Sequence, residues 1–184
     1  MSENIELMMP IKAAPYEHQK KAFAFACDKF GVFDNQLKSR GTALLMEMGT
    51  GKTIVSIAIS GCMYQYGKIN RVLVVAPLSI LGVWEEEFEK FADFPYSLTV
   101  LKGTAAKKKK QLTKLPDKGL QIVVVNYESA WRLEKELITY NADLVITDEA
   151  HKLKENRSKQ SQGMQHIGDK ARYKLLLTGT VITN

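Results

Sequence analysis

Three stretches of this chain, 71–76, 121–126 and 143–147, carry valine, isoleucine and leucine in almost unbroken runs with no polar/apolar alternation. A strand with one wet face alternates. A strand apolar on both sides must be covered on both, which is the condition of a buried parallel sheet. Three further runs, 42–46, 97–101 and 173–178, have the same strand character. Helical patterns lie between them. Phe23, Ala26, Cys27 and Phe30 fall at i, i+3, i+4, i+7, and Ile54, Ile57, Ala58, Gly61 and Cys62 continue that spacing in a second segment. Trp84, Phe88 and Phe91 form a third stripe, with Glu85, Glu86, Glu87 and Glu89 largely off it. Segments 105–115 and 129–138 read as two more helices. Strands that alternate with helices predict an α/β fold: a mostly parallel central sheet with helices on both faces.

The chain has 184 residues, which at ~150 residues per domain is one domain. It is 45% hydrophobic and 25% charged, which excludes a disordered tail or a fibrous repeat. No apolar run approaches the ~18 residues of a membrane span. The start, Met1-Ser2-Glu3-Asn4-Ile5-Glu6, lacks the basic and apolar regions of a secretory signal. Cys27 and Cys62 have no CxxC spacing and read as small buried residues of a reducing compartment, so the expected location is cytoplasmic. The net charge of +6 leans towards polyanionic partners.

Met46-Glu47-Met48-Gly49-Thr50-Gly51-Lys52-Thr53 follows the first strand and opens a helix. It fits the phosphate-loop pattern GxxxxGK[ST], with Met46 in place of the first glycine. Glycines let the amides of Gly49, Thr50, Gly51 and Lys52 curl round a β-phosphate, and the helix N-terminus adds its positive end. Lys52 reaches the β- and γ-phosphates, and the Thr53 hydroxyl is placed to ligate Mg²⁺. A glycine-rich turn with a surface lysine would need neither the strand before it nor the helix after it.

The strand at 143–147 runs into Asp148-Glu149-Ala150-His151. An aspartate at the end of a strand beside a phosphate-loop strand is where Mg²⁺ takes its second anchor. Glu149 is then the candidate for polarising an attacking water. On its own such an acid pair equally fits a helix start, favoured by the dipole, and a lone His151 fits a surface histidine.

With these motifs in order, the chain resembles the Snf-type group of superfamily 2 helicase-like ATPases, the chromatin remodellers and related bacterial and phage translocases. The resemblance runs from Pro15 to Asn184. Pro15-Tyr16-Glu17-His18-Gln19 is similar to the Q motif, and 47–53 to motif I. Val74-Val75-Ala76-Pro77-Leu78-Ser79-Ile80-Leu81 with Trp84 and Phe88 is similar to motif Ia, and Val125-Asn126-Tyr127-Glu128 to the segment that follows it. Asp148-Glu149-Ala150-His151 resembles motif II, and Leu177-Thr178-Gly179-Thr180-Val181-Ile182-Thr183-Asn184 motif III. Met46 stands where the group commonly has an acid, Val181 where it has proline, and Asn126 where it has a hydroxyl residue.

The resemblance implies a RecA-like phosphate-loop domain over 15–184, the first lobe of a two-lobe motor, preceded by an extension over 1–14. It implies that Gln19 reads adenine and that Lys52 and the loop hold phosphates. Thr53 and Asp148 would hold Mg²⁺, and Glu149 would position water. His151, Thr178, Gly179 and Thr180 would couple the nucleotide site to the strand-binding face. Pro77, Leu78, Ser79, Asn126 and Tyr127 would meet a nucleic-acid backbone, most readily duplex DNA, without sequence readout. Trp84 and Phe88 read foremost as a core stripe.

Lys107-Lys108-Lys109-Lys110, with Lys102, Lys114 and Lys118 nearby, is either a solvated helix face or a salt-sensitive backbone contact. The expected partners are duplex DNA and the second lobe of the parent chain, with no membrane and a monomeric state, in a bacterial or phage-infected cell. An arginine finger from a second lobe is worth about 10³–10⁵ in rate. The 184 residues end at motif III, so weak ATP binding and very slow hydrolysis are expected of them alone. A restriction or repair motor, an RNA helicase and a non-catalytic nucleotide-binding module are the alternatives.

Overall fold

The computed structural model describes residues 2–153 and 158–179. Six strands form one wholly parallel sheet: β1 (Gly41–Leu45), β2 (Arg71–Ala76), β3 (Tyr96–Val100), β4 (Leu120–Asn126), β5 (Leu144–Thr147) and β6 (Tyr173–Thr178). Their order across the sheet is β1-β6-β5-β2-β4-β3. All six apolar runs of the sequence are strands, each displaced by no more than a residue or so.

The unalternating runs fill the middle of the sheet and feed two separate cores. Val72, Val74, Ile122, Val124, Leu144 and Ile146 pack on one face, under α2 (Glu17–Lys29), α3 (Lys52–Gln65) and α4 (Leu81–Phe91). Leu73, Val75, Val123, Val125 and Val145 pack on the other. That face carries α5 (Ala105–Leu112), α6 (Tyr127–Arg132), α7 (Glu134–Tyr140) and α8 (Lys159–Lys170). Two-sided burial is the physical reason these strands contain no polar alternation.

The sheet is less fully covered at the β1 and β6 end. Leu44, Leu175 and Leu177 join the first core, whereas Leu45 is 66% and Leu176 40% exposed on the α8 side. A cavity of about 760 Å³ lies there, bordered by Ala43, Met164, Gly168 and Leu176 among others.

The helices depart from the sequence pattern in three places. The segment expected as one helix over 129–138 is two, α6 and α7, broken at Leu133 (φ −102°, ψ 21°). The break lets both Leu133 and Leu137 reach the second core. Helix α8 has only two large buried side chains, Met164 and Ile167, so no apolar stripe announces it. Its contact with α6 depends on smallness: a Cβ on Gly163 would lie 2.7 Å from the Trp131 Cβ. Helix α1 (Ser2–Met8) buries none of its own residues.

The segment after α1 is built into the domain. Met9 and Ile11 are buried, and Lys12 N donates to the Phe91 carbonyl. Gly61 on α3 makes room for it, since a Cβ there would meet Phe94 at 2.3 Å and Pro10 at 2.8 Å.

Candidate nucleotide and nucleic-acid site

Because every strand is parallel, all six C-terminal ends lie on one edge of the sheet. Ligands of open α/β sheets bind in the crevice outside those ends. β1 and β6 are distant in sequence but adjacent in space, with Leu45 opposite Thr178. That pairing brings the phosphate loop against Thr178 and Gly179, and Met46 N donates to the Thr178 carbonyl at 3.2 Å.

Gly49 and Gly51 have φ of 78° and 89°, the left-handed region that glycine enters without a Cβ penalty. Gly51 immediately precedes α3, so the helix N-terminus opens directly onto the loop. Lys52 is half-buried and donates to the Met46 carbonyl at 3.2 Å. Gly179 is tied to this lysine, since a Cβ at 179 would lie 2.9 Å from Lys52 Nζ. Thr53 follows on α3 and is also half-buried.

Gln19 is 5% exposed and lies against the phosphate loop. Its Oε1 accepts from Tyr16 N at 3.0 Å, reaching back over the start of α2. Its Nε2 donates to the Thr50 carbonyl at 3.1 Å, and His18 Nε2 lies 2.9 Å from the same oxygen. A Cβ at Gly51 would come within 2.3 Å of Gln19 Nε2. The absence of a Cβ at Gly51 therefore makes room for the close approach of the Gln19 side chain to the loop.

Asp148 closes β5 and is 5% exposed. Both of its carboxylate oxygens have partners: Oδ1 accepts from Glu149 N at 2.8 Å and Oδ2 from the Trp84 indole at 3.0 Å. Burial raises its pKa above the ordinary aspartate range, against the lowering effect of the Trp84 and Glu149 hydrogen bonds and of nearby Lys52. Glu149 has φ 51°, a strained backbone for a residue with a Cβ and a mark of functional turns. His151 Nδ1 lies 3.4 Å from Thr178 Oγ1, a long contact linking the ends of β5 and β6. Thr180, the remaining coupling candidate, lies outside the described residues, as do Val181, Ile182, Thr183 and Asn184.

The other half of the edge carries the nucleic-acid candidates. Leu78 (71% exposed) and Ser79 sit on the short turn after β2, beside half-buried Pro77. Asn126 ends β4, and its side-chain oxygen caps α6 by accepting from Ser129 N at 3.3 Å. Tyr127 faces inward. Its ring is buried, and its hydroxyl donates to the Asp148 carbonyl. Burial, with the Asp148 and Glu149 charges, pushes its phenol pKa well up, so it stays a donor.

The lysine run divides on α5. Lys108 bonds to Ser129 Oγ at 2.6 Å and Lys109 pairs with Glu136 at 3.0 Å. Lys107 and Lys110 instead line a groove of about 390 Å³ with Lys102 and Lys114. Lys102 follows β3, so this groove continues the same sheet edge outward.

Sequence reasoning missed the second role of Trp84. Its ring is in the core, as the stripe predicts, while its N–H is spent on the acid of motif II. Helical periodicity places a ring on a face and carries no sign of where its nitrogen points.

The fold and this edge define a RecA-like phosphate-loop domain. The SNF2-related domain model matches residues 16–184, and the chain belongs to that family. It is 31% identical over 181 residues to Switch 2 of Arabidopsis thaliana, covering 91% of this chain and 20% of that protein. It is 29% identical over 174 residues to the mouse (Mus musculus) DNA excision repair protein ERCC-6-like, covering 92% and 13%. Among solved structures, the Sulfolobus solfataricus SWI2/SNF2 ATPase core in complex with dsDNA superposes with a TM-score of 0.77 at 30% identity, over 94% of this chain and 33% of that one. The chain thus spans a third or less of each. These relatives are eukaryotic and archaeal, and they lend no support to a bacterial or phage origin. Among the described residues no helix is long and apolar enough to cross a membrane.

Proposed function

We propose that this chain is the ATP- and Mg²⁺-binding first lobe of a DNA-dependent ATPase and translocase, working with a second RecA-like lobe. The observation that carries the reading is the convergence of left-handed Gly49 and Gly51, Lys52, Gly179 and buried Asp148 on adjacent strand ends. In this reading the Gly49-to-Lys52 amides and the Lys52 ammonium hold the phosphates, exchanging the Met46 carbonyl for a phosphate oxygen. Thr53 and Asp148 offer a hydroxyl and a carboxylate, the hard oxygen donors that suit Mg²⁺. Bound there, the ion would supply charge neutralisation between the β- and γ-phosphates. Glu149 orients the attacking water, and Gln19 faces the adenine while holding the loop.

Duplex DNA is the proposed partner, resting on Pro77, Leu78, Ser79 and Asn126 through its backbone. Support comes from family membership and from the likeness to an ATPase core solved with dsDNA. The Leu-Thr-Gly sequence at 177–179 favours this group over RNA helicases, which usually carry Ser-Ala-Thr there.

The test is a titration of a fluorescent ATP analogue with Mg²⁺ into the wild-type chain and Lys52→Ala. At least tenfold weaker binding is expected for the variant. Undiminished affinity would remove the loop as the site and favour a non-catalytic module. Anisotropy with labelled duplex DNA, single strands and RNA under matched salt decides the partner.

A further inference from the structure

The two segments proposed to face nucleic acid both reach the same residue from inside the protein. Helix α4 starts directly after the Pro77–Ser79 turn, and Trp84, four residues past Ile80, places its indole N–H 3.0 Å from Asp148 Oδ2. Tyr127, adjoining Asn126, gives its hydroxyl to the Asp148 backbone carbonyl. Trp84, Tyr127 and Asp148 are all buried, so these bonds act in a low-dielectric interior where orientation is strongly enforced. β5 and β2 are direct neighbours, with Val75 opposite Thr147, so the link needs only one strand spacing.

We infer that Trp84 and Tyr127 are positioning residues that fix the Asp148 carboxylate for the divalent cation and report contact at the nucleic-acid face to it. This rests on the reading of Asp148 as the metal acid and of the β2 and β4 ends as the nucleic-acid face. The route is separate from the His151–Thr178 contact, which joins β5 to β6 on the other side of the site. Trp84 holds the carboxylate in rotation, since Oδ1 is already held by Glu149 N. Tyr127 holds the backbone from which that carboxylate hangs. A shift of the Pro77–Ser79 turn against a DNA backbone moves the first turn of α4 and with it the indole. Partners that orient a metal ligand typically change metal affinity or activity by about 10–100-fold when removed.

The experiment titrates Mg²⁺ against binding of a fluorescent ATP analogue in wild type, Trp84→Phe and Tyr127→Phe, with a parallel series in EDTA. Both variants keep an aromatic ring and lose the donor. The Mg²⁺ requirement should rise about tenfold in Trp84→Phe, with metal-free nucleotide affinity unchanged. A packing role alone moves both quantities together or neither, and either result overturns the inference. If Trp84→Phe does not fold, Tyr127→Phe, which loses one oxygen atom, carries the same test.

A spectroscopic arm uses Trp131→Phe, which leaves Trp84 as the sole tryptophan. Its emission should respond to Mg²⁺-nucleotide and also to duplex DNA added without nucleotide. An emission indifferent to duplex that anisotropy shows to be bound refutes the coupling. Asp148→Asn separates the two levels. If it leaves the Mg²⁺ requirement unchanged, the metal reading falls and the inference with it. If it abolishes Mg²⁺ dependence while Trp84→Phe does not alter it, only the inference falls.

Discussion

Replacing Gln19 by alanine separates two roles that the sequence merges. The resemblance makes Gln19 a reader of adenine, and the structure makes it a brace for the phosphate loop. The substitution removes the acceptor for Tyr16 N and one of two donors to the Thr50 carbonyl. Removing a helix-start hydrogen bond costs about 1 kcal/mol. His18 continues to serve Thr50, so the second effect is partial, on the order of 0.5 kcal/mol. The sum of about 1.5 kcal/mol corresponds to a fall in melting temperature of roughly 3–6 °C for a chain of this length. Differential scanning fluorimetry of the nucleotide-free protein measures it, and binding titrations with ATP and GTP analogues complete the test. A brace predicts lower stability and weaker binding of both nucleotides. An unchanged melting temperature, with affinity reduced for ATP alone, would refute the brace and leave base reading as the only role.

Two further predictions concern charge. The indole N–H groups of Trp84 and Trp131 each donate to a carboxylate, Asp148 and Glu128, so their NMR resonances should report those groups on acid titration. The Trp84 signal should shift with a midpoint above the ordinary aspartate value of 3.8, because burial disfavours the charged Asp148. The Trp131 signal should shift below the ordinary glutamate value of 4.5, because Arg132, Trp131 and Gln160 stabilise the charged Glu128. By linkage, Asp148 weakens the ligand-free fold as pH rises from 3.8 through its folded pKa. The Glu128 contribution runs oppositely, present above 4.5 and lost as pH falls through its folded pKa. A Trp84 midpoint at or below 3.8 would contradict the burial argument. Separately, Lys107→Gln with Lys110→Gln should reduce the slope of log affinity for duplex DNA against log salt. The reduction is about 0.9 for each phosphate no longer neutralised, up to about 2 in all. Since Lys108 bonds to Ser129 and Lys109 pairs with Glu136 at the surface, the same change at those two positions should alter the slope less.

The fold was legible because burial on both faces leaves a direct trace in composition. Runs such as Val123-Val124-Val125 have no other home than a covered parallel strand. The glycine loop between β1 and α3 was legible for a local reason: left-handed Gly49 and Gly51 and the helix start at Lys52 lie within a few residues of one another. What stayed hidden was held by packing between distant segments. Helix α8 adheres through Gly163 against Trp131, and glycine lowers helix propensity, so the residue that makes the contact conceals the element. The break at Leu133 arises from two leucines reaching one core, and helical periodicity does not register it. Tyr127 reads from its motif as a surface contact, and its hydroxyl turns out to be committed to Asp148. Trp84 is the clearest instance, since its stripe position accounts for the ring and says nothing of the nitrogen.

The strand order also sets a length scale. From the phosphate loop on β1 to Asn126 on β4 is four strand spacings, about 19 Å at ~4.8 Å each. Asp148, just past the end of β5, stands at the midpoint of that span, two strands from either end. Under the proposed function, events at the two sites therefore need not propagate through the whole sheet. In the proposed reading they meet at one carboxylate, and the strand order of the sheet sets how far apart the two sites stand.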